Sequence, residues 1–126
     1  METTPPRRVA IADDSPAFLA AAANHVASLP GFVLAGTAGT ARQALALVES
    51  VMPDVLLLDL GLAPKRGLEL VRRVKAGPRA PAVVALALFH APEMLAAAKR
   101  AGADALVCKE TFVAGLGEAL ASLFPA

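Results

Sequence analysis

Residues 54–62 read DVLLLDLGL. Val55 to Leu58 are four apolar residues without a break, and Asp59 stands where the run stops. Unbroken rather than alternating apolarity is what a strand covered on both faces shows, so the stretch predicts an interior strand of a parallel sheet. A carboxylate beside such a strand costs several kcal/mol of desolvation unless it is paired or wetted. Asp59 therefore needs a partner.

Working outward, the same kind of unit repeats. RRVAIADD (7–14) is a short apolar run ending in acids, and Ser15 and Pro16 follow as N-cap and first helical residue of a helix that Pro30-Gly31 stops. FVLAGTA (32–38) predicts a second strand, and Thr40 caps a second helix running to Val51. A third helix is expected over Gly67–Ala76, with Leu68, Val71 and Val74 on one face and Gly77-Pro78 ending it. AVVALAL (82–88) and ALVC (105–108) predict strands four and five, separated by a helix that opens near Pro92. The last helix, from Thr111, carries Gly115 and Gly117, each unfavourable by about 1 kcal/mol relative to Ala. Five strands alternating with five helices imply an α/β fold, a five-stranded parallel sheet with helices on both faces.

With 126 residues, one domain spanning 1–126 is expected. The chain is 56% apolar but only 4% aromatic, so Ala, Val and Leu must fill the core and aromatic stacking is a poor candidate for ligand binding. A net charge of +1 offers no field to draw nucleic acid or anionic lipid. A lone cysteine, Cys108, fits a reducing compartment and reads as core filler. No stretch is apolar for long enough to span a membrane, and the N-terminus lacks a secretory pattern, so a cytoplasmic location is expected. His25 on helix one and His90 after strand four read as ordinary helix and loop residues.

In a parallel sheet the carboxyl ends of the strands share one edge, where ligands bind. Strand one ends in Asp13-Asp14, strand three in Asp59 and strand five in Lys109. Each could have a local role, the acid pair at a helix N-terminus, Asp59 in a turn and Lys109 on the surface. Together, three carboxylates repel one another and favour a hard divalent cation, for which Mg²⁺ with a phosphate oxygen is suited. Lys109 adds a compact positive charge for the anion.

The whole chain resembles the receiver domain of two-component response regulators, in DDSP (13–16), DVLLLDLG (54–61), RGLEL (66–70) and AGADALVCK (101–109). The resemblance implies a (βα)5 flavodoxin-like fold and a phosphoacceptor, not an enzyme in its own right, although it assists its own phosphorylation and dephosphorylation. It implies that Asp59 takes a phosphoryl group from a histidine kinase, a phosphotransfer protein or an acyl phosphate. Mg²⁺ would be held by Asp13, Asp14, Asp59 and the backbone carbonyl of Gly61, and Lys109 would bind the phosphoryl oxygens. Gly61 and Phe89 would modulate access of water. The surface from helix four through helix five, here with Met94, Lys99 and Arg100, would take protein partners or a second copy.

Four positions depart from that family pattern. The strand-four hydroxyl is replaced by Ala87, and no Ser or Thr occurs from Val51 to Glu110. Leu106 stands where an aromatic residue is usual, Glu110 follows the lysine in place of proline, and the proline of GLAPKRG (61–67) is displaced. A hydrogen bond to a charged group contributes about 1.5–3 kcal/mol. Driving a switch from mostly off to mostly on takes about 5.5 kcal/mol. The alternative expectation is thus a pseudo-receiver that binds partners regardless of phosphate.

Overall fold

The computed structural model describes residues 5–62, 67–89 and 91–125. The displaced proline of the 61–67 loop and His90 lie outside these residues. The elements follow in strict alternation: β1 (Arg7–Ala12), α1 (Pro16–Ser28), β2 (Phe32–Ala38), α2 (Ala41–Val51), β3 (Val55–Asp59), α3 (Gly67–Lys75), β4 (Ala82–Ala87), α4 (Pro92–Ala101), β5 (Ala105–Cys108) and α5 (Phe112–Leu123). A 3-10 turn over Lys109–Thr111 joins β5 to α5. All strand pairs are parallel, in the order β2-β1-β3-β4-β5. This is the flavodoxin-like arrangement expected, and its strand order reverses between β1 and β3, next to Asp59.

The apolar run of β3 feeds two cores at once, because successive side chains of a strand face opposite ways. Leu56 and Leu58 join residues of α2, α3 and α4, including Ala44, Leu70, Val71 and Ala98. Val55 and Leu57 join α1 and α5 through Val26, Phe112, Leu116 and Leu120. All five residues of β3, Asp59 among them, are buried. Four of the five phenylalanines, Phe18, Phe32, Phe112 and Phe124, belong to the α1–α5 side, while Phe89 is 67% exposed. The aromatic content is therefore concentrated behind one face of the sheet.

The local signals act as expected at several ends. Ser15 Oγ accepts the Phe18 N–H at 3.2 Å, and Thr40 Oγ1 accepts the Gln43 N–H at 3.1 Å, each satisfying a first-turn donor. Gly102 closes α4 at φ +112°, a left-handed conformation that favours glycine. On β2 the register with β1 slips between Val9 and Ala10, so Ala35 is an extra residue bulging from an edge strand. Cys108 is a correction to the core-filler expectation. It is half-buried, and its Sγ approaches the Leu88 carbonyl at 3.4 Å.

Candidate functional site

Three chain segments meet at the carboxyl edge of the central strands. Asp13 follows β1, Asp59 ends β3, and Lys109 opens the turn after β5. Asp13 is fully buried and Asp59 is 5% exposed, whereas Asp14 is exposed. One carboxylate oxygen from each of Asp13, Asp14 and Asp59 lies within 4.8 Å of the others. That is the spacing of a cluster able to share one cation.

Lys109 bridges the two buried acids. Its Nζ is 2.5 Å from Asp13 Oδ2 and 3.2 Å from Asp59 Oδ2. Apart from this close ion pair, Asp13 Oδ2 has no hydrogen-bond partner among the described residues. Backbone groups hold the opposite oxygens: Ser15 N–H donates to Asp13 Oδ1 and Gly61 N–H to Asp59 Oδ1, both at 2.9 Å. A fixed oxygen on each acid and a spare one facing its neighbours suit a metal ligand set with an anion beside it. The donor set, all hard oxygen, fits Mg²⁺.

Burial pushes the Asp59 carboxyl above its usual range, and the Asp13 charge adds to this, while the Gly61 N–H and Lys109 pull the other way. Burial works to lower the Lys109 ammonium, but its hydrogen bond and charge interactions with Asp13 and Asp59 outweigh that and hold it above the usual lysine value. Lys109 is thus a firm cation, and one ammonium does not offset the carboxylates around it.

The remaining positions fall around this centre. Ala87, 7% exposed, ends β4 and pairs in register with Cys108, so a methyl group occupies the strand-four position. Leu106 is half-buried and packs against the α2–α3–α4 core. Leu88 and Phe89 are 59% and 67% exposed. Two participants escaped the sequence reading. The Gly61 N–H bears on Asp59, and the Phe18 ring lies under Lys109, its centroid 4.6 Å from Nζ. The aspartate two residues before Gly61, the spacing of an Asx turn, could have hinted at the first, but the second depends on how α1 is rotated. A cavity of about 600 Å³ lies between α2 and α3 and is lined by Glu49, Glu69 and Arg73 among others. Nothing in it matches the convergence of buried charges at Asp59, which is the better candidate.

Known proteins are similar to this chain. The family model for the response regulator receiver domain matches residues 9–121. The nitrate/nitrite response regulator protein NarL of Escherichia coli K12 is 26% identical over 110 residues, covering 87% of this chain and 51% of NarL. Protein-glutamate methylesterase/protein-glutamine glutaminase 5 of Myxococcus xanthus is 34% identical over 115 residues, covering 90% of this chain and 33% of that protein. This chain thus spans about half or less of the length of these relatives. The signal receiver domain of the putative response regulator NarL from Mycobacterium tuberculosis superposes with a TM-score of 0.86 at 22% identity, covering 95% of this chain and 97% of that one. That last likeness speaks for the fold.

Proposed function

The chain belongs to the response regulator receiver family, and from that premise we propose that Asp59 accepts a phosphoryl group in a Mg²⁺-dependent reaction. The observation that carries the reading is Asp59 itself, a buried carboxylate with one oxygen fixed by Gly61 and the other beside Lys109. In the transfer an Asp59 oxygen bonds to phosphorus as the bond from phosphorus to the donor breaks, and the leaving group departs with the electron pair. The donor is the phosphohistidine of a histidine kinase or phosphotransfer protein, or a small acyl phosphate.

An anionic phosphoryl centre approached by a carboxylate needs positioning and positive charge more than a base. Lys109 meets the phosphoryl oxygens, giving up part of its hold on Asp59. Asp13, Asp14, Asp59 and the Gly61 carbonyl would hold Mg²⁺, which when bound supplies charge neutralisation among the acids. Gly61 and Phe89 flank the route by which water reaches the product. Partners dock on the surface running from α4 through α5, where Met94 and Val113 are 36% and 63% exposed and Lys99 and Arg100 are exposed as well, and a second copy is one candidate occupant. No helix among the described residues is long and apolar enough to cross a membrane. The proposed setting is cytoplasmic.

Incubation of the chain with acetyl phosphate and Mg²⁺, followed by intact-mass measurement, tests the reading. A phosphoryl adduct that disappears in Asp59→Ala and on chelation of the metal is expected. No adduct in the unaltered chain would sink it. A second reading, a pseudo-receiver that binds partners regardless of phosphate, is favoured by Ala87 and by the packed aliphatic Leu106. Equal partner affinity before and after labelling would select it.

A further inference from the structure

Lys109 has a third neighbour besides the two acids. Its ammonium lies 4.6 Å from the centroid of the Phe18 ring, inside the roughly 6 Å over which a cation is attracted to an aromatic face. Both groups are tied to the site from their other ends. Ser15 N–H donates to Asp13 Oδ1, and Ser15 Oγ accepts the Phe18 N–H, which sets Phe18 in the first turn of α1. The Phe18 ring meets Phe112 edge to face, centroids 5.1 Å apart at 74°. Phe112 is 8% exposed and stands three residues after Lys109. Asp13, Ser15, Phe18 and Lys109 thus close a circuit back to Asp13.

A lysine side chain has several free torsions, and charge attraction alone sets no direction. Here Asp13 and Asp59 hold the ammonium from the acid side only, which leaves its remaining direction to another neighbour. The ring face narrows the choice. We propose that Phe18 is a positioning residue for phosphoryl transfer to Asp59, holding the Lys109 ammonium over the acidic edge by a cation–π contact so that it meets the incoming phosphoryl oxygens. This deepens the phosphoacceptor reading and rests on it. With acetyl phosphate, Asp59 gains the bond to phosphorus, acetate leaves with the pair from the broken P–O bond, and Lys109 remains protonated throughout. Phe18 touches neither donor nor acceptor and acts through Lys109.

The test uses the full chain, Mg²⁺ and acetyl phosphate, and reads initial labelling rate against donor and metal concentration. Phe18→Leu is expected to lower the maximal rate about 3- to 10-fold while the half-saturating Mg²⁺ concentration moves less than about 2-fold. Phe18→Tyr, which keeps the ring face, restores most of the rate. In a Lys109→Ala background Phe18→Leu has no further effect. Independently of any donor, the Lys109 ε-methylene protons carry a ring-current shift that vanishes in Phe18→Leu and persists in Phe18→Tyr. Thermal unfolding monitors the fold, and Phe18→Met replaces the leucine variant if that variant melts at the assay temperature. Equal rates in wild type and Phe18→Leu, the same loss without Lys109, or a ring-current shift that survives Phe18→Leu would each overturn the proposal. An unaltered chain that takes no label overturns the phosphoacceptor reading, and with it the transfer role, while the ring-current comparison still decides whether Phe18 holds Lys109.

Discussion

At Asp59 the surroundings oppose ionisation, through burial first and the neighbouring Asp13 charge after it, and Gly61 and Lys109 only partly compensate. A carboxyl whose folded-state value is raised favours its protonated form in the fold. Its contribution to stability is therefore present at pH below its unfolded value and is lost as pH rises through the folded value. Above that folded value the charged Asp59 is a cost in the metal-free protein. Asp59→Asn should therefore raise metal-free stability at neutral pH, and raise it less in acid, as measured by urea unfolding across that range. Added Mg²⁺ should stabilise the unaltered chain and leave the variant nearly unmoved. The residues of this site were legible because each ends a strand whose apolar run can be read. Phe18 was not, since nothing in the spacing of α1 says which of its side chains turns toward a lysine after β5.

The elements were legible for a related reason: buried parallel strands are short apolar runs, and caps such as Ser15 and Thr40 mark helix starts. What escaped was close approach. Gly115 reads as a defect in α5, yet a Cβ there would lie 3.1 Å from Val107 Cγ1, so its absence lets the helix settle on β5. Gly67 is more demanding. A Cβ at this first residue of α3 would sit 2.3 Å from the Leu60 carbonyl oxygen and 2.7 Å from the Leu60 Cα. Neither atom can yield without moving the backbone next to Asp59. Gly67→Ala should cost about 3 kcal/mol or more in urea unfolding and slow labelling of Asp59, whereas Gly117→Ala, with open space around it, should be neutral or slightly stabilising. Asp104 shows a different economy. It accepts the Val83 N–H at 2.8 Å and pairs with Lys75 at 2.9 Å, tying α3 to the starts of β4 and β5 at the end of the sheet away from the acids.

Across the whole molecule, the site and its outward connection are unequal. The acids and Lys109 converge at one edge, but β4 carries the methyl of Ala87 where the proposed phosphoryl switch would need a hydroxyl, and Leu106 is half-buried against the α2–α3–α4 core. The missing hydrogen bond, about 1.5–3 kcal/mol, is a large part of the roughly 5.5 kcal/mol that full switching takes. Labelling should therefore change hydrogen exchange little in β4, α4 and β5 of the unaltered chain. Ala87→Thr should enlarge that change severalfold without abolishing labelling, and an equally small response in the variant would place the coupling elsewhere. Strand order is a property of this scale that apolar runs do not encode, and it leaves β2 at an edge with Val33 and Leu34 41% and 38% exposed. A straight apolar edge invites sheet growth from one molecule to the next. Another molecule's strand laid along β2 would keep step as far as Leu34 and lose it at the Ala35 bulge, so the irregularity in the ladder guards the concentrated protein against fibre formation.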